Sequence, residues 1–227
     1  MEGRLFTFLG IVSHDQVWII LSHFVLAIGI IMLLARAATK RMQLVPTGSQ
    51  NVLETFIGGI ISMGADTMGE QNARKFLPLI GSLALVIFVS NMMGVIPGFE
   101  SPTANINFTL SLALIVFVYY NYLGIKINGA KTYFAHFMGP MPALAPLMFP
   151  IEIVSHFSRI ISLSFRLFGS IRGDDMFLMV LLMLVPWILP LPGFFMLAAF
   201  GLLQAFIFSI LTYVYIAGSV MMHEEDH

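Results

Sequence analysis

The chain is predicted to fold as an all-α integral membrane protein, a single membrane domain over residues 1–227 with five transmembrane helices and interfacial helix segments. Three observations carry this. Hydrophobic residues make up 58% of the sequence and charged residues only 10%, where an ordinary soluble domain is about 25% charged. Four apolar regions reach the roughly 20 residues that a helix needs to cross a bilayer, and the run "PWILPLPG" at residues 186–193 divides the longest of them in two. Proline removes a donor and clashes with the preceding turn, so that run reads as a break between helices. Finally, the basic residues gather in two of the connections.

In chain order, the first span covers residues 17–36 and is followed by Arg36, Lys40 and Arg41. Residues 51–72, "NVLETFIGGIISMGADTMGEQN", are too polar to span and are expected to form an interfacial or peripheral helix. The second span, 76–96, holds no charge and follows Arg74 and Lys75; the third, 106–125, precedes Lys126 and Lys131. "GPMPALAPLMFP" is expected to lie along the membrane surface and to lead into the fourth span, 150–187, which pairs with the fifth, 194–220, as a long tilted hairpin. At about 37 residues the fourth helix is about 55 Å long. A bilayer core is about 30 Å thick, so this helix must tilt, bend or project.

The basic residues also set the orientation. Arg36, Lys40, Arg41, Arg74, Lys75, Lys126 and Lys131 fall in two connections, which the positive-inside rule assigns to the cytoplasm. The connections 97–105 and 189–193 hold no Lys or Arg and face outward. The N-terminus is then outside and the tail "MMHEEDH" inside. The opening "MEGRLFTFLG" does not read as a cleaved signal peptide.

A formal net charge of −1 offers no basic surface for phosphates, so no nucleic-acid partner is expected. With no cysteine there is no disulfide or thiolate-held metal, and with no P-loop no nucleotide site. No cofactor or metal is expected.

The stretch "SHFSRIISLSFRLFGSIRGDD" places three arginines and two aspartates where hydropathy puts a membrane. One charge at the bilayer centre costs at least about 2.5 kcal/mol. At about 100° per residue, Glu152, His156, Arg159, Arg166, Ser170 and Asp174 fall within about 80° of one another and form one polar stripe. Arg172 and Asp175 lie on another face. Arg166 stands near the middle, about 21 Å along the helix from Glu152 and about 13 Å from Asp175. Arginine does not lose its proton in proteins, so Arg166 can repel a cation or hold a carboxylate ionised but cannot relay a proton. The plain alternative is that these arginines and acids tie a bundle together. That alternative is favoured for Arg172, with Asp175 three residues on, and is even for Arg159. It is disfavoured for Arg166, which has no acid within one helical turn and needs a partner from elsewhere.

At these residues the sequence resembles subunit a of F-type ATP synthases. The resemblance lies in "SLSFRLFGS", in an acid nine residues after its arginine, in "LQAFIFSILTYVYI", and in "PLIGSLALVIFVSNMMGVIPGFESPTANINFTLSLALIVF". Such a subunit implies an ion-translocating stator, not itself an enzyme, with two offset half-channels beside a rotating ring of c subunits. It further implies b-type peripheral stalk partners, the lipid bilayer, and a bacterial plasma (inner) membrane or a thylakoid-type one. The family's essential arginine corresponds to Arg166, with Gln204 expected near it. Glu152 matches the cytoplasmic-side acid and Asp175 the outward one, while Asn91, Thr103, Asn105 and Asn107 match polar positions of the outward entrance. Ser170 stands where the family usually has asparagine. Leu197 stands where some members have a histidine, which leaves Asp175 to work without it, aided by Asp174.

Some polar groups have plainer readings. Gln204, Ser209 and Thr212 suit helix packing, and the resemblance reverses that for Gln204 alone. Asn91 and Asn107 suit caps or solvated turns. His156 is a relay or a packed neutral histidine, and His23 and His136 are structural or interfacial. The competing function is a secondary transporter binding an anionic solute at Arg166, although the internal repeats common in transporters are not visible.

Overall fold

A computed structural model describes residues 16–40, 43, 48–129, 133, 145–184 and 190–220. Among these are six α-helices and one short 3-10 turn. They are α1 (Gln16–Thr39), α2 (Ser49–Met68), α3 (Glu70–Val95), the 3-10 turn Pro102–Ala104, α4 (Ile106–Asn128), α5 (Ala145–Leu184) and α6 (Pro190–Val220). Arg41, Lys131, His136, most of the proline-rich approach to α5, the middle of the α5–α6 connection and the tail lie outside the described residues.

Four helices, α1, α3, α4 and α6, are long and apolar enough to cross a membrane. They are the runs in which the sequence offers apolar side chains at spanning length. α5 is longest, at 40 residues, but six charged residues from Glu152 to Asp175 interrupt it, so composition alone does not make it a span.

One core joins five of the six helices: Phe56 and Ile60 of α2, Ile80 and Ile87 of α3, Val116 of α4, Leu163 and Leu167 of α5, and Phe208 and Ile216 of α6. α1 packs separately, through Ala27 against Val89 and Met93. The expected peripheral helix is α2, and it belongs to the bundle: Phe56, Ile60, Gly64 and Met68 line up every fourth residue on a buried face. Gly64 makes this possible, because a Cβ there would stand 2.5 Å from the Tyr213 ring of α6. The Tyr213 hydroxyl then reaches the Ala73 carbonyl at 3.2 Å. Between α2 and α3 the chain reverses at a single residue, Gly69, whose φ of +80° suits glycine.

Three boundaries differ from those read off the sequence. α3 begins at Glu70 rather than residue 76, its first turn carrying the exposed Arg74–Glu70 pair at 2.8 Å. α5 begins at Ala145 and runs through Pro150, which forfeits one helix hydrogen bond without ending the helix. The run at 186–193 does separate two helices, but α6 begins at Pro190 rather than residue 194, so Pro190 and Pro192 occupy its first turn. Backbone N–H groups of a first turn have no partner within the helix, so proline loses nothing there.

Candidate functional site

The packing face of α5 decides where its charges go. Its buried residues, His156, Ile160, Leu163, Ser164, Leu167 and Ile171, recur at three- and four-residue steps and face α4 and α6. That face is centred about 110° round the helix from Arg166. The predicted stripe therefore straddles its edge and is split: His156 turns inward, Glu152 is half-exposed at the edge, and Arg166 is exposed. Phe157, Ile161 and Phe165 are exposed with it. Arg166 has no hydrogen bond or ion pair among the described residues, and none joins it to Gln204. Gln204 is 5% exposed on the packing face of α6.

Toward the N-terminal end of α5, the structure brings Glu152 and His156 together. His156 is buried, its Nε2 3.5 Å from Glu152 Oε1 and its Nδ1 2.9 Å from the Tyr120 hydroxyl of α4. The His156 and Tyr120 rings stack with centroids 5.8 Å apart and 27° between planes. Arg159 lies over the Tyr215 ring of α6 at 5.6 Å. Deeper in the same α4–α5 interface, Thr109 and Ser164 share a hydrogen bond of 3.1 Å.

Toward the C-terminal half of α5, Asp174 and Asp175 are half-buried. The favoured Arg172–Asp175 pair does not form as a direct contact; Arg172 acts on Asp175 only at longer range, as does Glu100 from the α3–α4 connection. Helical spacing put Arg172 near Asp175, but the exposed guanidinium turns to the open side of α5. Ser170 bonds the Leu167 carbonyl of its own helix at 3.1 Å.

The entrance positions divide into two kinds. Asn105 caps α4, accepting from the Asn107 N–H at 2.9 Å, and Asn107 itself is exposed. Asn91 and Thr103 are buried in a network. Thr103 donates to Asn91 Oδ1 at 2.6 Å, Asn91 Nδ2 donates to the Gly201 carbonyl of α6 at 3.1 Å, and Ser101 bonds the Ser90 carbonyl at 2.9 Å. Gly201 admits this approach, since a Cβ there would meet Asn91 Cβ at 3.0 Å. His23 completes the anchoring: one ring nitrogen bonds the Ile19 carbonyl at 2.7 Å, and the other accepts the Glu100 N–H at 3.2 Å. Ser209 and Thr212 bond carbonyls of their own helix, in keeping with a packing role.

Sequence reasoning missed Tyr120 and Glu100. A tyrosine in "VYYNY" and an acid in a connection carry no signal until the fold sets Tyr120 against His156 and Glu100 within electrostatic range of Asp175.

Residues 17–217 match the family model described as ATP synthase A chain. The chain is 83% identical to ATP synthase subunit a of Aliarcobacter butzleri, with the whole of both chains covered. It is 60% identical to that of a Nitratiruptor species, again over both whole chains. Subunit a of Helicobacter hepaticus is 57% identical over 99% of this chain and the whole of that one.

Proposed function

Because this chain belongs to the ATP synthase A chain family, we propose that it is the ion-conducting stator of the ATP synthase membrane sector, coupling proton flow to ATP synthesis beside a rotating c-ring. It has no catalytic role in ATP chemistry. α5 crosses the membrane as a fifth, strongly tilted span, and with α6 it forms the hairpin that faces the ring. b-type stalk subunits hold the chain in a bacterial plasma membrane, N-terminus outside and C-terminus cytoplasmic.

In this reading a proton reaches the ring through an outward half-channel at Asp175, assisted by Asp174 and Ser170, and leaves past Glu152 and His156. Asn105 and Asn107 border the outward mouth. Asn91 and Thr103 shape it by holding the α3–α4 connection on α6. Arg166 keeps a passing ring carboxylate ionised and bars direct leakage between the two half-channels, because a fixed cation repels a proton and cannot relay one. Gln204 supports this region from α6.

The observation that carries the reading is Arg166 itself, exposed on α5 with no hydrogen bond or ion pair among the described residues. A self-contained solute transporter would leave the family membership unexplained. The test is ATP-driven acidification of vesicles carrying the assembled complex. Arg166→Ala is expected to abolish pumping while the complex stays assembled; normal pumping would remove Arg166 from the mechanism.

A further inference from the structure

We propose that Tyr120 is a positioning residue of the inward proton path: its phenol oxygen accepts the Nδ1–H of His156 and so presents Nε2 as the nitrogen that exchanges a proton with Glu152. The inference rests on the reading of Glu152 as the inward acid.

His156 is 5% exposed and Tyr120 1%. At that depth each polar atom needs a protein partner, because an unpaired one pays its full desolvation cost. Each ring nitrogen has a partner, Glu152 at Nε2 and Tyr120 at Nδ1, and the ring cannot turn over without exchanging them. Stacking on Tyr120 and an edge contact with Phe117, at 6.5 Å between centroids, fix its plane as well. A histidine that merely fills space needs neither arrangement.

The proton step balances without using up the tyrosine. The Nε2–H bond of the imidazolium breaks as the O–H bond of Glu152 forms, leaving a neutral ring whose remaining proton, on Nδ1, stays on the phenol oxygen. The reverse step restores the imidazolium. In both states Tyr120 accepts the same proton, so the working nitrogen does not alternate. The same logic governs any histidine whose second nitrogen is held by an orienting partner.

The charged and titratable groups around this chain come from every helix packed on it. Glu152 and Arg159 belong to α5. Tyr133 follows α4 and donates to Asn121 at 2.7 Å, and Tyr215 of α6 lies under the Arg159 guanidinium. Arg159 is within electrostatic reach of Tyr120.

The test uses the assembled complex in inverted vesicles, with ATP-driven pumping followed as the pH of the cytoplasmic face is varied across the ordinary histidine range, about 6.5. Tyr120→Phe keeps the stacked ring and loses one hydrogen bond, so pumping is expected to slow about three- to tenfold. The midpoint of the pH profile should move as well. The double variant with His156→Gln should be no slower than His156→Gln alone. Replacing Tyr120 with 3-fluorotyrosine, which preserves shape and bonding, should also displace the midpoint, and it serves if Tyr120→Phe does not assemble. A uniform slowing with an unmoved midpoint, or additive losses in the double variant, would overturn the proposal by making Tyr120 a packing residue. Wild-type pumping by Glu152→Gln would instead remove the inward acid, and the proposal with it.

Discussion

Asn91 offers a decision between two roles for one side chain, lining a proton path or clamping a wall. In the structure it accepts from Thr103 at 2.6 Å and donates to the Gly201 carbonyl at 3.1 Å, so it ties the α3–α4 connection to the last helix. Asn91→Leu keeps the branched shape and deletes both bonds. Buried hydrogen bonds are worth about 1 kcal/mol net each; between membrane helices the average is about 0.6 and the ceiling about 1.7 kcal/mol. The expected loss is therefore about 1–3 kcal/mol. For a chain of this size about 2 kcal/mol lowers a melting midpoint by about 4–8 °C. The assay is the temperature at which half of this subunit is lost from the detergent-solubilised complex. A midpoint within about 1 °C of wild type, together with reduced proton flow, would refute the clamp and return Asn91 to the path itself.

Two further perturbations probe other parts of the molecule. Gly64→Ala adds a Cβ 2.5 Å from the Tyr213 ring, an overpacking expected to cost about 1–3 kcal/mol. Its melting midpoint should fall, and Tyr213→Leu in the same chain should recover part of the loss, whereas an unchanged midpoint would mean that α2 does not pack as described. Glu100→Gln removes a charge that acts on Asp175 from the α3–α4 connection, the outward mouth in the proposed function. Proton-driven ATP synthesis should slow about two- to threefold when the outward side is alkaline and protons are scarce, and little when it is acidic. Equal rates at every outward pH would separate Glu100 from the entrance.

Four of the helices read from the sequence, α1, α3, α4 and α6, have apolar runs that match the thickness of a bilayer, and α5 was legible as one long charged helix. α2 was legible as a helix but not as a core element. Its mean composition is mixed, and what buries it is the close approach of Gly64 to Tyr213, a tertiary event. The prolines marked the division between α5 and α6 but not its edges, because their effect depends on place: Pro190 and Pro192 start a helix, and Pro150 sits inside one. On α5 the helical wheel found the polar residues but not the packing face. Only the fold shows that His156 turns toward Tyr120 while Arg166 turns away.

That separation bears on why the arginine can be tolerated at all. Of the charged groups on α5, Glu152 has His156 and Arg159 has the Tyr215 ring. The positions one turn either side of Arg166 are Ser162, Leu163, Gly169 and Ser170, none of them acidic. An acid at either serine would stand at helical pairing distance and offset part of the cost of an arginine in a membrane, about 2.5 kcal/mol or more. It would also neutralise the cation permanently. If the proposed function is right, a resident acid would compete with the ring carboxylate, and Arg166 could hold that carboxylate ionised only for as long as the local partner let go. In that reading an unpaired cation avoids the competition and meets each arriving carboxylate without an intrachain bond that must first be broken. On the same reading, leaving Arg166 without a partner among the described residues costs stability in the isolated subunit and recovers it beside a partner that supplies the missing charge in passing.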